Sequence, residues 1–105
     1  MTYPFRAILP VFNEEKRLQE VLNYYIPLLG SLDLIDNFSS DNTLKIANTC
    51  AGVKIYQKHN SGTNETTEWF HWLLEEIPSE YYLFLSCSAS KRNGFLSSSF
   101  KEFHI

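Results

Sequence analysis

Three short polar segments, each directly after an apolar run, carry the side chains best suited to binding or chemistry. They are Asn13-Glu14-Glu15, the stretch from Asp36 to Thr43, and the stretch from Ser86 to Ser90. Carboxylates and amides such as those of Asp36, Asn37 and Asp41 can hydrogen-bond the hydroxyls and ring edges of a polar ligand. The candidate site is therefore sought where the apolar runs end.

Alternating hydrophobic periods define the elements that must position these segments. Short apolar runs predict four strands, at Phe5 to Phe12, Leu32 to Asp36, Val53 to Gln57 and Tyr81 to Leu85. Helical spacing predicts three helices. The first begins at Glu15 and ends at the stop signals Pro27 and Gly30. The second runs from the helix-start segment Ser39-Ser40-Asp41-Asn42 to Gly52, and the third runs from Thr66 or Thr67 to Pro78. Strand and helix in succession predict an α/β fold with a parallel sheet, whose ligands bind beyond the carboxyl ends of the strands.

Two of the segments match a known family in the right order. Leu9-Pro10-Val11-Phe12-Asn13-Glu14-Glu15 resembles the Pro-x-(Tyr/Phe)-Asn-Glu opening of family 2 glycosyltransferases. One helix later, Ile35-Asp36-Asn37-Phe38-Ser39-Ser40-Asp41-Asn42-Thr43 is similar to the family's Val-Asp-(Asp/Asn)-x-Ser-x-Asp-x-Thr segment, and Asn60-x-Gly62 resembles a weaker family motif. The resemblance implies a Rossmann-like GT-A half domain over residues 1–88, with strands in the order 3-2-1-4.

The same resemblance implies a reaction and a ligand. The family transfers a sugar from a nucleotide-diphospho-sugar to an acceptor hydroxyl, so the expected ligand is a UDP- or GDP-sugar. The implied binding residues are Pro10, Phe12 and Glu14 around the base and ribose, Asn13 beside them, Asp36 and Asn37 on the base or ribose, and Asp41 ordering the loop. The family's second acidic residue is an amide here. No catalytic residue is assigned, because the general base is expected from an acceptor half that has no counterpart in this sequence.

Each of these polar residues also has a purely structural explanation. The residues from Ser39 to Thr43 could serve only to start a helix, and for Asp41 we favour that explanation. Asn13 and Glu14 could form a plain turn that complements the dipole of the first helix. The aromatic residues of the third helix fall on one face, which favours a place in the core over a sugar-stacking platform.

The resemblance breaks after the fourth predicted strand. Family members place an Asp-x-Asp motif there, whose carboxylates hold Mg²⁺ or Mn²⁺, whereas this sequence reads Ser86-Cys87-Ser88. Hydroxyls and a neutral thiol are poor ligands for a hard divalent cation. We therefore expect no metal ligands at these positions.

The end of the sequence does not resemble the family's continuation. Lys91 to Ile105 shows neither helix nor strand period, so residues 89–105 are interpreted as an atypical tail. A premature stop or a shifted reading frame is favoured over a small complete domain. The fourth strand, Tyr81 to Leu85, would then lie at a sheet edge and promote self-association.

Composition excludes several other classes. The net charge of −3 and the scattered cationic residues argue against nucleic acid as a partner. No apolar stretch is long enough for a membrane span, and no targeting signal is visible at the N-terminus, which predicts a cytoplasmic protein. Cys50, Cys87 and the three histidines show no zinc-ligand spacing.

Two further interpretations stay open. The chain could be a non-catalytic module or inactive remnant that only recognises a nucleotide sugar. It could also be an unrelated doubly wound domain, either a dinucleotide binder or a response-regulator-like module, although the sequence has no G-x-G-x-x-G for a dinucleotide.

Overall fold

A computed structural model describes residues 5–60 and 67–87 and the backbone of 99–102. The strands are β1 (Arg6–Val11), β2 (Leu32–Asp36), β3 (Val53–Gln57), β4 (Tyr81–Phe84) and β5 (Ser99–Glu102), and the helices are α1 (Leu18–Leu29), α2 (Thr43–Asn48) and α3 (Thr67–Glu76). Over these residues the strands form one sheet in the order β3-β2-β1-β4-β5, with β1, β2, β3 and β4 mutually parallel. The predicted α/β class and the order 3-2-1-4 are confirmed.

Alternation along the strands builds a core on each face of the sheet. Ala7, Leu9 and Val11 of β1 pack with the buried face of α1, while Ile8 between them packs on the other side with Trp69 and Leu73 of α3. A strand covered on both faces needs the continuous apolar run that β1 shows. Trp69 is only 2% exposed, which confirms that the α3 aromatic face belongs to the core.

Helix α1 ends before Gly30, one of its two predicted stop signals, but begins at Leu18 instead of Glu15. Pro27, the other signal, lies inside α1, in its last turn. The helix continues to Leu29 and ends where Gly30, with φ 82°, donates its N–H to the carbonyl of Ile26 at 2.8 Å. In the part of the chain that the structure describes, no helix is long and apolar enough to cross a membrane.

The outer side of β4 is paired, contrary to the sequence prediction. Ser99–Glu102 forms β5 and runs antiparallel to β4, in register from Tyr81 with Glu102 to Phe84 with Ser99. The expectation that Lys91 to Ile105 contains no strand is therefore wrong for these residues, and so is the expectation that β4 is an edge. The pairing occupies the outer backbone groups of β4 that were predicted to be unpaired, while self-association of the chain stays a prediction.

One ion pair lies within the sheet on the α3 side. The Arg6 guanidinium donates two hydrogen bonds of 2.9 Å to the Asp33 carboxylate, which is almost fully buried. This bidentate contact raises the pKa of Arg6 against the opposing effect of desolvation. The pair links β1 to β2 and satisfies a carboxylate that would otherwise be costly to bury.

Two glycines with positive φ allow a matched test of the packing before β2 and β3. A Cβ on Gly52 (φ +91°) would lie 2.6 Å from the carbonyl oxygen of Gly30, whereas a Cβ on Gly30 (φ +82°) would meet nothing within 4 Å. Gly30→Ala should cost only the strain of the left-handed conformation, about 1–2 kcal/mol. Gly52→Ala should lower the free energy of unfolding further, because backbone must move. Urea denaturation of both variants measures the difference, and equal losses would contradict the close approach.

Candidate functional site

The polar segments after β1 and β2 meet at one edge of the sheet. Val11 is aligned with Asp36 in the parallel register, and the Asn37 N–H donates to the Val11 carbonyl at 2.9 Å. The end of β4 reaches the same edge, since the Leu85 N–H donates to the carbonyl of Ile8 at 2.8 Å. The carboxyl ends of β1, β2 and β4 thus bring together the three segments singled out in the sequence, up to Cys87; Ser88, Ala89 and Ser90 lie outside the described residues.

Asn13 links the turn after β1 to the turn after β2. Its N–H donates to the hydroxyl of Ser39 at 2.8 Å, and its side-chain oxygen accepts the N–H of Ser40, also at 2.8 Å. Asn13 adopts a positive φ of 51°, a conformation that asparagine tolerates better than most residues. The amide therefore fixes the relative position of the two turns.

Asp36 lies buried beneath the turn that it begins. Its carboxylate accepts the Ser39 N–H at 3.0 Å and the Ser39 hydroxyl at 2.5 Å, and the Gln57 amide lies 3.4 Å away. The side chain is 0% exposed. The Asp36 carboxylate thus holds the turn after β2 in place through Ser39; the contact with a ligand that the resemblance implies stays a prediction.

Asp41 and Thr43 hold the segment that leads into α1. The Thr43 hydroxyl accepts the Glu14 N–H at 2.8 Å and donates to Asp41 at 2.5 Å, while Asp41 also accepts the N–H groups of Thr43 at 2.9 Å and Glu15 at 3.3 Å. Desolvation opposes ionisation, but these hydrogen bonds outweigh it and lower the pKa of Asp41 below its usual value. Asp41 thus serves the start of α2, as favoured from the sequence, and also orders the neighbouring loop.

Glu14 lies in the segment between β1 and α1. Its carboxylate pairs with Arg17 at 2.5 Å and is only 16% exposed. Cys87 is buried with the α1-side core, and burial, reinforced by the charge of Glu14 and opposed by that of Arg17, raises the pKa of its thiol to about 12. At neutral pH the Cys87 thiol is therefore protonated. The Glu14 carboxylate has the Arg17 guanidinium as its partner.

Asn37 pairs with a backbone segment after β3. Its side-chain N–H donates to the Asn60 carbonyl at 2.7 Å, and its side-chain oxygen accepts the Asn60 N–H at 2.9 Å. This two-way pairing requires an amide, because a carboxylate cannot donate. The role of Asn60 was not foreseen from the sequence beyond the motif Asn60-x-Gly62, of which Gly62 lies outside the described residues.

Two phenylalanine rings stand exposed at the same edge. Phe12 and Phe38, which follow β1 and β2, are 55% and 56% exposed, and Phe38 has a φ of 54°. Pro10, which lies in β1 two residues before Phe12, is half-buried. An exposed aromatic ring in a left-handed turn is unfavourable without a compensating contact. Phe38 was not identified from the sequence as a site residue, and its only signal there is an aromatic residue inside a polar turn.

Five of the seven implied nucleotide-binding residues use polar side-chain groups in hydrogen bonds within the protein. They are Asn13, Glu14, Asp36, Asn37 and Asp41. Pro10 and Phe12 are apolar. The edge therefore offers a ligand apolar surface around a turn whose shape is fixed by hydrogen bonds.

The residues at the end of β4 do not fit a divalent cation. In the described residues no group of three or more His, Cys, Asp or Glu could hold a metal ion. Ser86 contributes a hydroxyl, Cys87 a buried protonated thiol, and the sequence has no carboxylate or histidine from Tyr81 to Lys101. Mg²⁺ and Mn²⁺ prefer carboxylate oxygens, so this donor set is unsuitable.

Solved structures with the same fold are GT-A glycosyltransferases. Glucosyl-3-phosphoglycerate synthase from Mycobacterium tuberculosis, solved with Mn²⁺, UDP and glucosyl-3-phosphoglycerate, matches with a TM-score of 0.62 at 20% identity over 79% of this chain. TarS from S. aureus matches with a TM-score of 0.60 at 25% identity over 81% of this chain. The mannosyltransferase PcManGT from Pyrobaculum calidifontis, in complex with GDP-Man and Mn²⁺, gives 0.50 at 16% identity over 85%. The predicted GT-A fold is confirmed.

The chain spans about a third or less of these proteins, with 33% of the synthase, 27% of TarS and 28% of the mannosyltransferase covered. No protein-family model and no curated protein matches the chain. The likeness therefore establishes the fold, while ligand and activity must be argued from the site.

The pairing of Asn37 with Asn60 predicts a pH-dependent effect on stability when the amide is replaced by a carboxylic acid. At pH 7, Asn37→Asp should lose the bond donated to the Asn60 carbonyl and place a carboxylate against it, lowering the free energy of unfolding by about 1–3 kcal/mol. Protonation lets the acid donate again, so the deficit relative to wild type should shrink as pH falls through the carboxyl pKa. Urea denaturation of both proteins at pH 7 and pH 4 tests this, and a deficit independent of pH would contradict the pairing.

The raised pKa of Cys87 predicts selective thiol chemistry. Half-buried Cys50 should react with iodoacetamide in the folded protein, while Cys87 should react only after unfolding. Because folding raises the thiol pKa from 9.0 to about 12, the associated stability is present below pH 9 and is lost as pH rises through that window. Mass spectrometry locates the adduct, and Cys50→Ser is the control that should leave the native protein unlabelled. Rapid native labelling of Cys87 would contradict its burial.

Proposed function

We propose that this chain binds the nucleotide portion of a nucleoside diphosphate sugar, as the donor-binding part of a family 2-like glycosyltransferase. One observation carries the proposal. The two polar motifs follow β1 and β2 in the order of the family. They are joined at one edge of a GT-A sheet by the hydrogen bond that the Asn13 N–H donates to Ser39 and the one that the Asn13 side-chain oxygen accepts from Ser40. Sheets of this type bind ligands beyond the carboxyl ends of their strands.

The geometry suggests different roles for the implied residues. Phe12, with Pro10 beside it, offers an exposed ring on which a base can stack, and Phe38 offers a second. Asp36 acts through the Ser39 turn, and Asn37 acts through Asn60. In this proposal the buried carboxylates shape the pocket, and the rings supply the contact area.

The reaction of such an enzyme would be attack of an acceptor hydroxyl on the anomeric carbon, with a nucleoside diphosphate as the leaving group. No residue of this chain is assigned to activate the acceptor, and this chain is proposed only to hold the donor. A non-catalytic nucleotide-sugar-binding module is the second candidate, favoured by the absence of a carboxylate at Ser86 and Cys87. Sugar transfer in the presence of an acceptor would separate the two. The cytoplasmic location stays a prediction.

The proposal predicts binding that depends on Phe12. In a nitrogen-15 NMR titration, UDP or GDP should shift amides around Phe12, Asn13, Asp36 and Asn37. Phe12→Ala should weaken binding by about 1–3 kcal/mol, the range for an aromatic ring that stacks on a base, or roughly 5- to 150-fold in Kd.

Leu28→Ala is the matched control. Leu28 lies on α1 and is 56% exposed, close to the 55% of Phe12, so its truncation removes similar apolar area away from the edge. It should leave the affinity unchanged. Shifts confined to other regions, or equal affinities of the two variants, would refute the site assignment.

A further inference from the structure

We propose that the site recognises its ligand through the nucleoside and leaves the diphosphate without a divalent metal at the end of β4. This inference rests on the proposed function and concerns the same site. It predicts that the diphosphate adds little affinity, in contrast to a site where carboxylates hold a metal ion against the phosphates.

The first argument is the chemistry at the end of β4. Cys87 belongs to the α1-side core and is 3% exposed, so its sulfur is buried in that apolar cluster. A protonated thiol in that position cannot coordinate a hard cation at neutral pH. Ser86, one residue earlier, carries a neutral hydroxyl. Neither side chain supplies the negative charge that attracts Mg²⁺ or Mn²⁺.

The second argument is that nearby carboxylates are engaged elsewhere. Asp36 is 0% exposed and hydrogen-bonded to Ser39, and Asp41 is bonded to Thr43 and to the loop before α1. Glu14 is paired with Arg17. Glu15 accepts a hydrogen bond from the side-chain amide of Asn42 at 3.1 Å. Recruiting Asp36 or Asp41 to a metal would break contacts that hold the two turns together, and recruiting Glu14 or Glu15 would break its own pairing. Each of these four described carboxylates is therefore already engaged within the protein.

The third argument concerns positive charge. Among the described residues of the segment between β1 and α1, Arg17 carries a guanidinium, and this group is paired with the Glu14 carboxylate at 2.5 Å. Lys58 lies after β3, with its ammonium 4.0 Å from Glu68. A diphosphate at this edge therefore gains little from paired cations, and water competes effectively for its oxygens. The apolar rings of Phe12 and Phe38 remain the main contact surface.

Titration calorimetry with uridine, UMP and UDP, each with Mn²⁺ and with EDTA, tests this inference; guanosine, GMP and GDP form a second series. The three Kd values of the series that binds should agree within about threefold, less than 1 kcal/mol, and Mn²⁺ should not change them. Tightening of UDP or GDP binding by tenfold or more with Mn²⁺ would overturn the inference and leave the proposed function intact. If none of the six compounds binds, the proposed function fails and this inference fails with it.

A charge variant provides a second readout. Ser86→Asp places a carboxylate beside the proposed diphosphate position, so in EDTA it should weaken UDP binding about fivefold and leave uridine binding unchanged. Ser31→Asp, an exposed position before β2 at the opposite edge of the sheet, is the control and should change neither. Equal effects of Ser86→Asp on UDP and uridine would overturn the placement of the diphosphate.

Discussion

The hydrogen bonds between the turn after β1 and the turn after β2 are the contacts on which the candidate site depends. Parallel pairing brings Val11 and Asp36 side by side, but it leaves the chain beyond each strand undetermined. Asn13, in the turn after β1, donates a hydrogen bond to Ser39 and accepts one from Ser40, both in the turn after β2. The buried Asp36 carboxylate accepts a hydrogen bond from the Ser39 hydroxyl and so fixes its position. Since a buried carboxylate must be fully hydrogen-bonded, the position of Asp36 dictates the shape of the turn above it.

At this edge, different residues determine the shape of the turns and the surface that is exposed. The polar side chains order the turns through hydrogen bonds within the protein, while the rings of Phe12 and Phe38 are exposed. Preorganised loops reduce the ordering cost of binding, so polar groups committed to the protein can still increase affinity. In the proposed site, a substitution at Asp36 would therefore act through the turn, and a substitution at Phe12 would act through the contact with the ligand.

The sequence predicts the order of elements well because hydrophobic periodicity reports which faces are buried. Strand β1 and helix α3 were found in this way, and their side chains occupy the expected cores. The Asn37 pairing was not predictable, since its partner is backbone, which any residue supplies. β5 was missed because its four residues owe their conformation to pairing with β4, whereas their own composition favours no structure. The continuation of α1 through Pro27 likewise depends on packing that local propensity does not describe.

In the proposed site, the amide at position 37 and the neutral side chains at positions 86 to 88 have one physical explanation. An aspartate at position 37 and an Asp-x-Asp at positions 86 to 88 would add three negative charges around a ligand that is itself an anion. A divalent cation makes such a cluster favourable, because it attracts both the carboxylates and the phosphates. Without the cation, each carboxylate would repel the ligand. Replacing the acids by Asn37 and by neutral hydroxyl and thiol groups removes that repulsion, and the amide gains a backbone partner in Asn60 that a carboxylate could not fully satisfy. The amide at position 37 and the neutral end of β4 are therefore consistent with a site that holds a nucleoside without metal.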